Sequence, residues 1–266
     1  MIKPQTFASH KDYRDALFAL LVKFEGDKKY LHIGPKGVPA IGPGVELIVK
    51  GDSGYASRKR VKIDELLIAA HGRPTKLSDA DWLWMGKVAD LMRNGGLRPE
   101  QLKVEISKLM KGHGIKPFTG TGLRRLSDVA VEEAEKRVGK SIKQAAKKAG
   151  IDPDAAVAAF ANSREIPGLV SQGYNNLDSP KAIAALLRGN RAEAFAEMGY
   201  RSNKGKTAGV AARRMEEAAG VAGDPKSWTP EQKRQWRDLY NRDEAKFNEY
   251  DAKFESRIPV GGRFAD

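Results

Sequence analysis

The chain has no cysteine. Disulfides, thiolate nucleophiles and cysteine-held zinc or iron–sulfur centres are therefore excluded. Histidine is scarce: the four are His10, His32, His71 and His113, with no close pair at metal-ligand spacing. No metal or organic cofactor is implied. No run of about 18 apolar residues occurs, so no transmembrane segment is expected. The opening stretch, Met1-Ile2-Lys3-Pro4-Gln5-Thr6-Phe7, lacks a long apolar core and a small-residue cleavage site, so no signal peptide is expected. Acidic groups are outnumbered, with 34 Asp and Glu against 47 Lys and Arg, a net charge of +13.

What is present is an ordinary globular mixture, 41% apolar and 30% charged, which excludes wholesale disorder. At 266 residues the chain fits one elaborated domain or two. The positive charge suits polyanions: nucleic acid, anionic lipid or bacterial cell wall. Lys50 to Arg124 carries 15 basic and 8 acidic residues, more than half of the excess. The cluster Arg58-Lys59-Arg60-Val61-Lys62 is either a contact for such a polymer or a solvated surface. No DNA-binding motif accompanies it and no aromatics interleave with it, so no specific nucleic-acid partner is expected.

The spacing predicts a helix from Ser9 to Phe24. Ser9 and Asp12 have capping-box spacing, and Tyr13, Leu17, Leu20, Leu21 and Phe24 form one apolar face. Glu25-Gly26 ends it. Two short strands follow, Tyr30-Leu31-His32-Ile33 and Val38-Pro39-Ala40-Ile41, around the turn Gly34-Pro35-Lys36-Gly37. Pro39 marks the second as an edge strand. Gly42-Pro43-Gly44 then breaks the pattern.

The remainder reads as mostly helical. Helices are expected from Ser78 to Arg93, around Leu102, Ile106 and Leu109, and from a cap at Ser127 to Lys148. Gly112 to Gly122 reads as a loop. Further helices are expected at Asp154–Ala161, Ile166–Tyr174, Ser179–Arg188, Arg191–Met198, Thr207–Ala219 and Thr229–Glu255. In the last, Tyr240, Phe247 and Phe254 are seven apart and share a face. The stripe Trp236–Phe254 packs on the body or meets a neighbouring subunit. Trp82 and Trp84 sit at helical spacing and suit a core, with stacking on sugar rings as the alternative. The fold class is mainly α (α+β).

One constellation carries chemistry. Glu25 closes a helix whose dipole presents negative partial charge there, and a hairpin follows. Both the dipole and desolvation disfavour the ionised carboxylate, as a general acid near neutral pH requires. The plain alternative is a solvated terminal residue.

Glu25-Gly26 and Ile41-Gly42-Pro43-Gly44, with Gly37 at the turn, resemble the bacteriophage-type lysozymes, the muramidase endolysins. That family ends its first helix in Glu-Gly and its hairpin in a Thr-Ile-Gly-x-Gly stretch. Pro167 to Asn176 is similar to its core helix, Leu186-Leu187-Arg188-Gly189-Asn190 to the segment after it, and Ala208 to Glu217 to its closing helix. Leu126-Ser127 with Glu132-Glu133-Ala134 resembles the start of its larger lobe. The resemblance implies a lysozyme-like two-lobed fold with a small N-terminal β-hairpin lobe and a helical lobe. Residues 1–45 would supply the first helix and hairpin, 46–125 an inserted helical region, 126–224 the helical lobe and 225–266 a helical extension. The cleft would lie between the lobes.

The activity so implied is cleavage of the β-1,4 bond between N-acetylmuramic acid and N-acetylglucosamine in bacterial peptidoglycan, with Glu25 as general acid. The family's Asp, nine positions after the Glu, and its Thr are here Gly34 and Ala40, which carry no reactive group. Hydrolysis by water needs two carboxylates. Three outcomes stay open. The muramic C6 hydroxyl attacks in a lytic transglycosylase-like route; or Glu46 or Asp27, more remotely Asp52, is the second carboxylate; or the protein binds glycan without cutting it. His32, Ser171, Gln172, Tyr174 and Asn175 are candidate substrate-binding residues, with a strand histidine and a helix C-cap at Asn175-Asn176 as the plain readings. Arg213-Arg214 reads as a structural pair. The family context implies a protein made in a host cytoplasm that reaches the periplasm and wall through a holin, or a virion component with other phage virion proteins as partners.

Overall fold

The computed structural model describes residues 6–34, 38–51, 54–94, 97–111, 115–175, 177–202 and 208–254. Gly37, Asp52, His113, Asn176, Thr207 and Glu255, each part of an expectation above, lie outside the described residues. Among the described residues helix dominates, and the named strands form two small antiparallel sheets. The fold is mainly α, as expected. No helix among the described residues is long and apolar enough to cross a membrane.

Helix α1 runs His10–Glu25. Ser9 caps it: the Asp12 amide donates to Ser9 Oγ at 3.1 Å, and Ser9 Oγ donates back to Asp12 Oδ2 at 2.8 Å. Tyr13, Leu17 and Leu21 are buried on one face. Gly26 ends the helix at φ +83°, its amide bonding Val22 O. That left-handed geometry favours glycine.

Two compact units partition the chain. The hairpin unit is Leu21–Glu132. Its first sheet has strands β1 (His32–Ile33), β2 (Pro39–Ile41) and β3 (Val45–Glu46), in that order. Sequence reading missed β3, and with it the position of Pro39. The proline-bearing strand is central, not an edge. Pro39 is tolerated because it opens β2, where its missing N–H interrupts no ladder, and its carbonyl accepts from Leu47 N at 2.8 Å.

A second hairpin, β4 (Ile48–Gly51) with β5 (Gly54–Ser57), follows directly. Then come α2 (Arg60–His71), α3 (Asp79–Asn94) and α4 (Pro99–Met110). Helix α3 packs on β4, β5 and α4, while α4 packs on β1. The region expected as an insertion is thus folded onto the first sheet. Trp84 is core, and half-buried Trp82 lies under the Arg60 guanidinium at 5.3 Å.

Helix α5 (Gly120–Lys148) starts before Ser127, correcting the expected boundary. Thr119 caps it, its Oγ1 accepting from Gly122 N at 2.9 Å. Ser127 is a buried mid-helix residue. A β-carbon at Gly122 would fall 2.2 Å from Ala70 O, so glycine there lets α5 approach the end of α2. The Gly-Thr-Gly run that resembles a loop is a close helix contact.

The helical unit is Met1–Leu20 with Glu133–Asp266. Its helices beyond α5 are α6 (Pro153–Phe160), α7 (Ile166–Tyr174), α8 (Pro180–Leu187), α9 (Arg191–Ala196), α10 (Ala208–Ala222) and α11 (Pro230–Phe254). The α7 helix is buried from Ile166 to Gly173 and packs on α10. A π-helical turn, Glu197–Arg201, extends α9.

Helix α11 is broken at Asp243, whose φ/ψ of −114°/20° is non-helical. Phe247 stacks on Trp236 with centroids 5.6 Å apart. Eleven residues of straight helix would separate them by about 16 Å. The chain therefore folds back at Asp243, which corrects the single seven-residue stripe. Phe195, Tyr200 and Trp228 complete the aromatic cluster around Trp236.

Candidate active site

Glu25 is the last residue of α1 and is half-buried. The turn between β2 and β3 is Gly42-Pro43-Gly44, closed by Gly44 N donating to Gly42 O at 2.8 Å. Both glycines have positive φ, +55° and +80°. Their surroundings explain the residue type. A β-carbon at Gly42 would fall 2.8 Å from Leu126 Cδ2 on α5. One at Gly44 would fall 3.0 Å from Glu25 Oε2. The turn is seated on α5 on one side and against the Glu25 carboxylate on the other.

The strand register places three further residues. His32 pairs with Ala40, and Ala40 pairs with Glu46. Directly opposed residues share a sheet face, so His32, Ala40 and Glu46 form one row across it. Ala40 is buried and its methyl group brings no chemistry to the middle of that row. Glu46 is half-buried, and its carbonyl accepts from Arg58 Nε at 3.0 Å. Sequence reading missed this role of Arg58, because its partner is a backbone atom. Asp27 is exposed, one residue beyond the helix-ending glycine. Gly34 N bonds Val38 O at 2.8 Å, closing the base of the β1–β2 hairpin.

His32 Nδ1 lies 3.1 Å from Tyr30 O. A carbonyl only accepts, so Nδ1 carries the proton and Nε2 is the acceptor of the neutral ring. Burial lowers the His32 pKa below 6.5; the Tyr30 hydrogen bond opposes this and the Lys28 charge adds to it.

The candidates on α7 divide. Ser171 and Gln172 are fully buried, which corrects their assignment to substrate binding. Ser171 Oγ donates to Glu217 Oε1 at 2.6 Å and accepts from Arg213 Nη2 at 3.0 Å. Gln172 Oε1 accepts from Ser179 Oγ. Glu217 also takes Arg213 Nε at 2.9 Å and Arg214 Nη1. These side chains hold α7 against α10. Tyr174 is half-buried and Asn175 exposed. Asn175 Nδ2 donates to Ser171 O at 3.1 Å, the C-cap role. Among the described residues no group of three His, Asp or Glu could hold a metal ion.

Comparisons with protein-family models, with curated proteins and with solved structures each find no match.

Proposed function

We propose that the chain is a peptidoglycan glycosidase of lysozyme-like, two-lobed design. It cleaves the β-1,4 bond between N-acetylmuramic acid and N-acetylglucosamine, with Glu25 as general acid. The observation that carries this reading is the seating of Gly44 against Glu25 Oε2. A carboxylate at a helix end, closed over by the backbone of a sheet turn, is partly removed from water yet half-open to a ligand.

In this reading Glu25 gives its proton to the glycosidic oxygen as the bond to the muramic C1 breaks. The muramic C6 hydroxyl then attacks C1 and returns its proton to Glu25. The product is a 1,6-anhydro sugar and no water is consumed. One carboxylate serves as acid and then base, which suits the inert side chains at Gly34 and Ala40. Glu46 is the alternative second carboxylate, because it shares the sheet face with Ala40. The neutral His32 Nε2 is an acceptor for a sugar hydroxyl on the same face. The net positive charge draws the chain to the anionic wall, and salt weakens that attraction. The biological setting is a phage endolysin or a virion protein with other virion components as partners.

A second reading, a wall-binding or virion structural protein without activity, is favoured by Gly34 and Ala40 alone. Mass spectrometry of muropeptides released from purified sacculi separates these. The expected result is anhydro-muramyl products from the wild type and none from Glu25→Gln. Reducing muramyl ends would assign the second carboxylate to Glu46 or Asp27. Binding to sacculi without release, in both proteins, would leave the non-catalytic reading standing.

A further inference from the structure

Helix α2 ends at His71, and the segment leading into α5 lies against that end. The Phe118 ring is 5.2 Å from the His71 ring. Phe118 is buried, and its amide donates to Lys29 O at 2.6 Å, which fixes the segment in place. Gly72 takes the chain out of α2 at φ +68°. The Arg125 guanidinium occupies the space a side chain there would need, its Nη2 lying 2.9 Å from the β-carbon position of Gly72. Arg73 is the next residue, and Lys116 precedes Phe118 by two. Burial, and after it the charges of Arg73 and Lys116, lower the His71 pKa below 6.5. Three cations therefore converge on one helix junction, inside the hairpin unit.

These cations are accessible and unbalanced. Arg73, Lys116 and Arg125 are all exposed, and none has an ion pair or hydrogen bond among the described residues. Other cations of the same unit do have acids. Arg93, Lys103 and Lys108 each pair with a carboxylate three residues away, and Arg124 pairs with Asp128 at 3.6 Å. The last carbonyls of α2 set only about half a negative charge against the three cations. Their mutual repulsion is relieved by a bound anion. A carboxylate brings one charge and two oxygens, which leaves most of the excess. A phosphate group brings close to two charges and three acceptor oxygens, and a guanidinium fork meets two of those oxygens at once. We propose that the junction of α2 with α5 is a binding site for a phosphate group, held by Arg73, Lys116 and Arg125. A free phosphate ester and a phosphodiester polymer share that chemistry. The site uses none of the residues around Glu25, and it does not rest on the glycosidase reading.

The His71 ring is the reporter. The isotope-labelled full chain is titrated with sodium phosphate, with sodium chloride holding the ionic strength constant, and the His71 ring signals are followed by NMR. A saturable shift with Kd of about 1 mM is expected, with a rise in the His71 pKa, because the anion offsets two cations that lower it. Arg125→Gln is expected to weaken binding about tenfold, the loss of a charge-assisted hydrogen bond. Lys116→Gln, a second exposed position, is expected to weaken it by a similar factor. Lys59→Gln is the control: that exposed residue is at the other end of α2, about 18 Å from His71, and its variant should keep the Kd. A second titration uses a short oligothymidylate. Saturation by phosphate alone assigns a free ester as the ligand, and saturation by both assigns a polymer backbone. Absence of a saturable shift with phosphate overturns the proposal, even where the oligomer binds. So does a Lys59→Gln effect equal to that of Arg125→Gln, which would mean a diffuse field and not a site.

Discussion

The backbone of Gly44 lies against the carboxylate of Glu25, so closely that a single added methyl group would sit 3.0 Å from Oε2. Two demands meet at that glycine. Its φ of +80° disfavours any side chain, and the carboxylate would have to shift to admit one. Gly44→Ala should therefore cost about 1–2 kcal/mol in stability from the backbone alone. On the proposed glycosidase reading, its effect on wall cleavage should be larger than that loss explains, because the methyl displaces Glu25. The expected outcome is a drop of about tenfold or more in product release, from protein that circular dichroism shows to be folded. Activity unchanged in the folded variant would separate the turn from the chemistry.

Glu217 is fully buried between Arg213 and Arg214, with Ser171 on one oxygen. Removing its charge takes away the carboxylate that both guanidinium groups share inside the helical unit. Glu217→Gln should destabilise by about 3–5 kcal/mol, the usual cost of breaking a buried pair from one side. Urea unfolding followed by circular dichroism measures this. A loss below about 1 kcal/mol would mean that the arginines are neutralised by another partner.

The legible parts of this fold were the local ones. Ser9 with Asp12, Glu25-Gly26 and Gly42-Pro43-Gly44 each declare themselves within a few residues, because capping and positive φ are local requirements. Helix α2 was missed although Ile63, Leu66, Leu67 and Ala70 have helical spacing and are buried. Its start has no side-chain cap, and basic residues crowd it. Ser171 and Gln172 look like surface residues because their partners, Glu217 and Ser179, lie elsewhere in sequence. The break at Asp243 has neither glycine nor proline to announce it. Its anchor is Arg201, 42 residues earlier.

His32 gives a pH prediction. Burial holds its pKa below 6.5, so the folded ring is neutral at neutral pH and takes up a proton later than the unfolded chain as pH falls. The stability tied to the neutral ring is present above about pH 6.5 and is lost as pH drops through the folded value. An NMR titration should give His32 an apparent pKa below 6.5. His32→Gln should lose less denaturant resistance than the wild type between pH 7 and pH 5. An equal loss in both would place the sensitivity in another group.

Asp243 is expected to set the acid limit of the C-terminal fold-back. Arg201 Nη2 reaches it at 2.6 Å, and the same arginine holds Glu193 at 2.6 Å and Glu197. Burial opposes the charge on Asp243, but Lys246, Arg201 and Arg242 together outweigh it and hold the carboxyl below its usual range. Its contribution is therefore complete above the unfolded value of about 3.9 and disappears as pH falls through the folded one. Trp236, stacked on Phe247 across the break, reports the event. Below about pH 4 its emission should shift to the red as the second half of α11 leaves it. Arg201→Ala removes the cation that Glu193, Glu197 and Asp243 share, leaving only the exposed Arg242 and Lys246 beside them. It should produce the same red shift at neutral pH, with stability lower by about 1–3 kcal/mol. Unchanged Trp236 emission in that variant would show that the aromatic cluster, rather than the ion pairs, holds the fold-back closed.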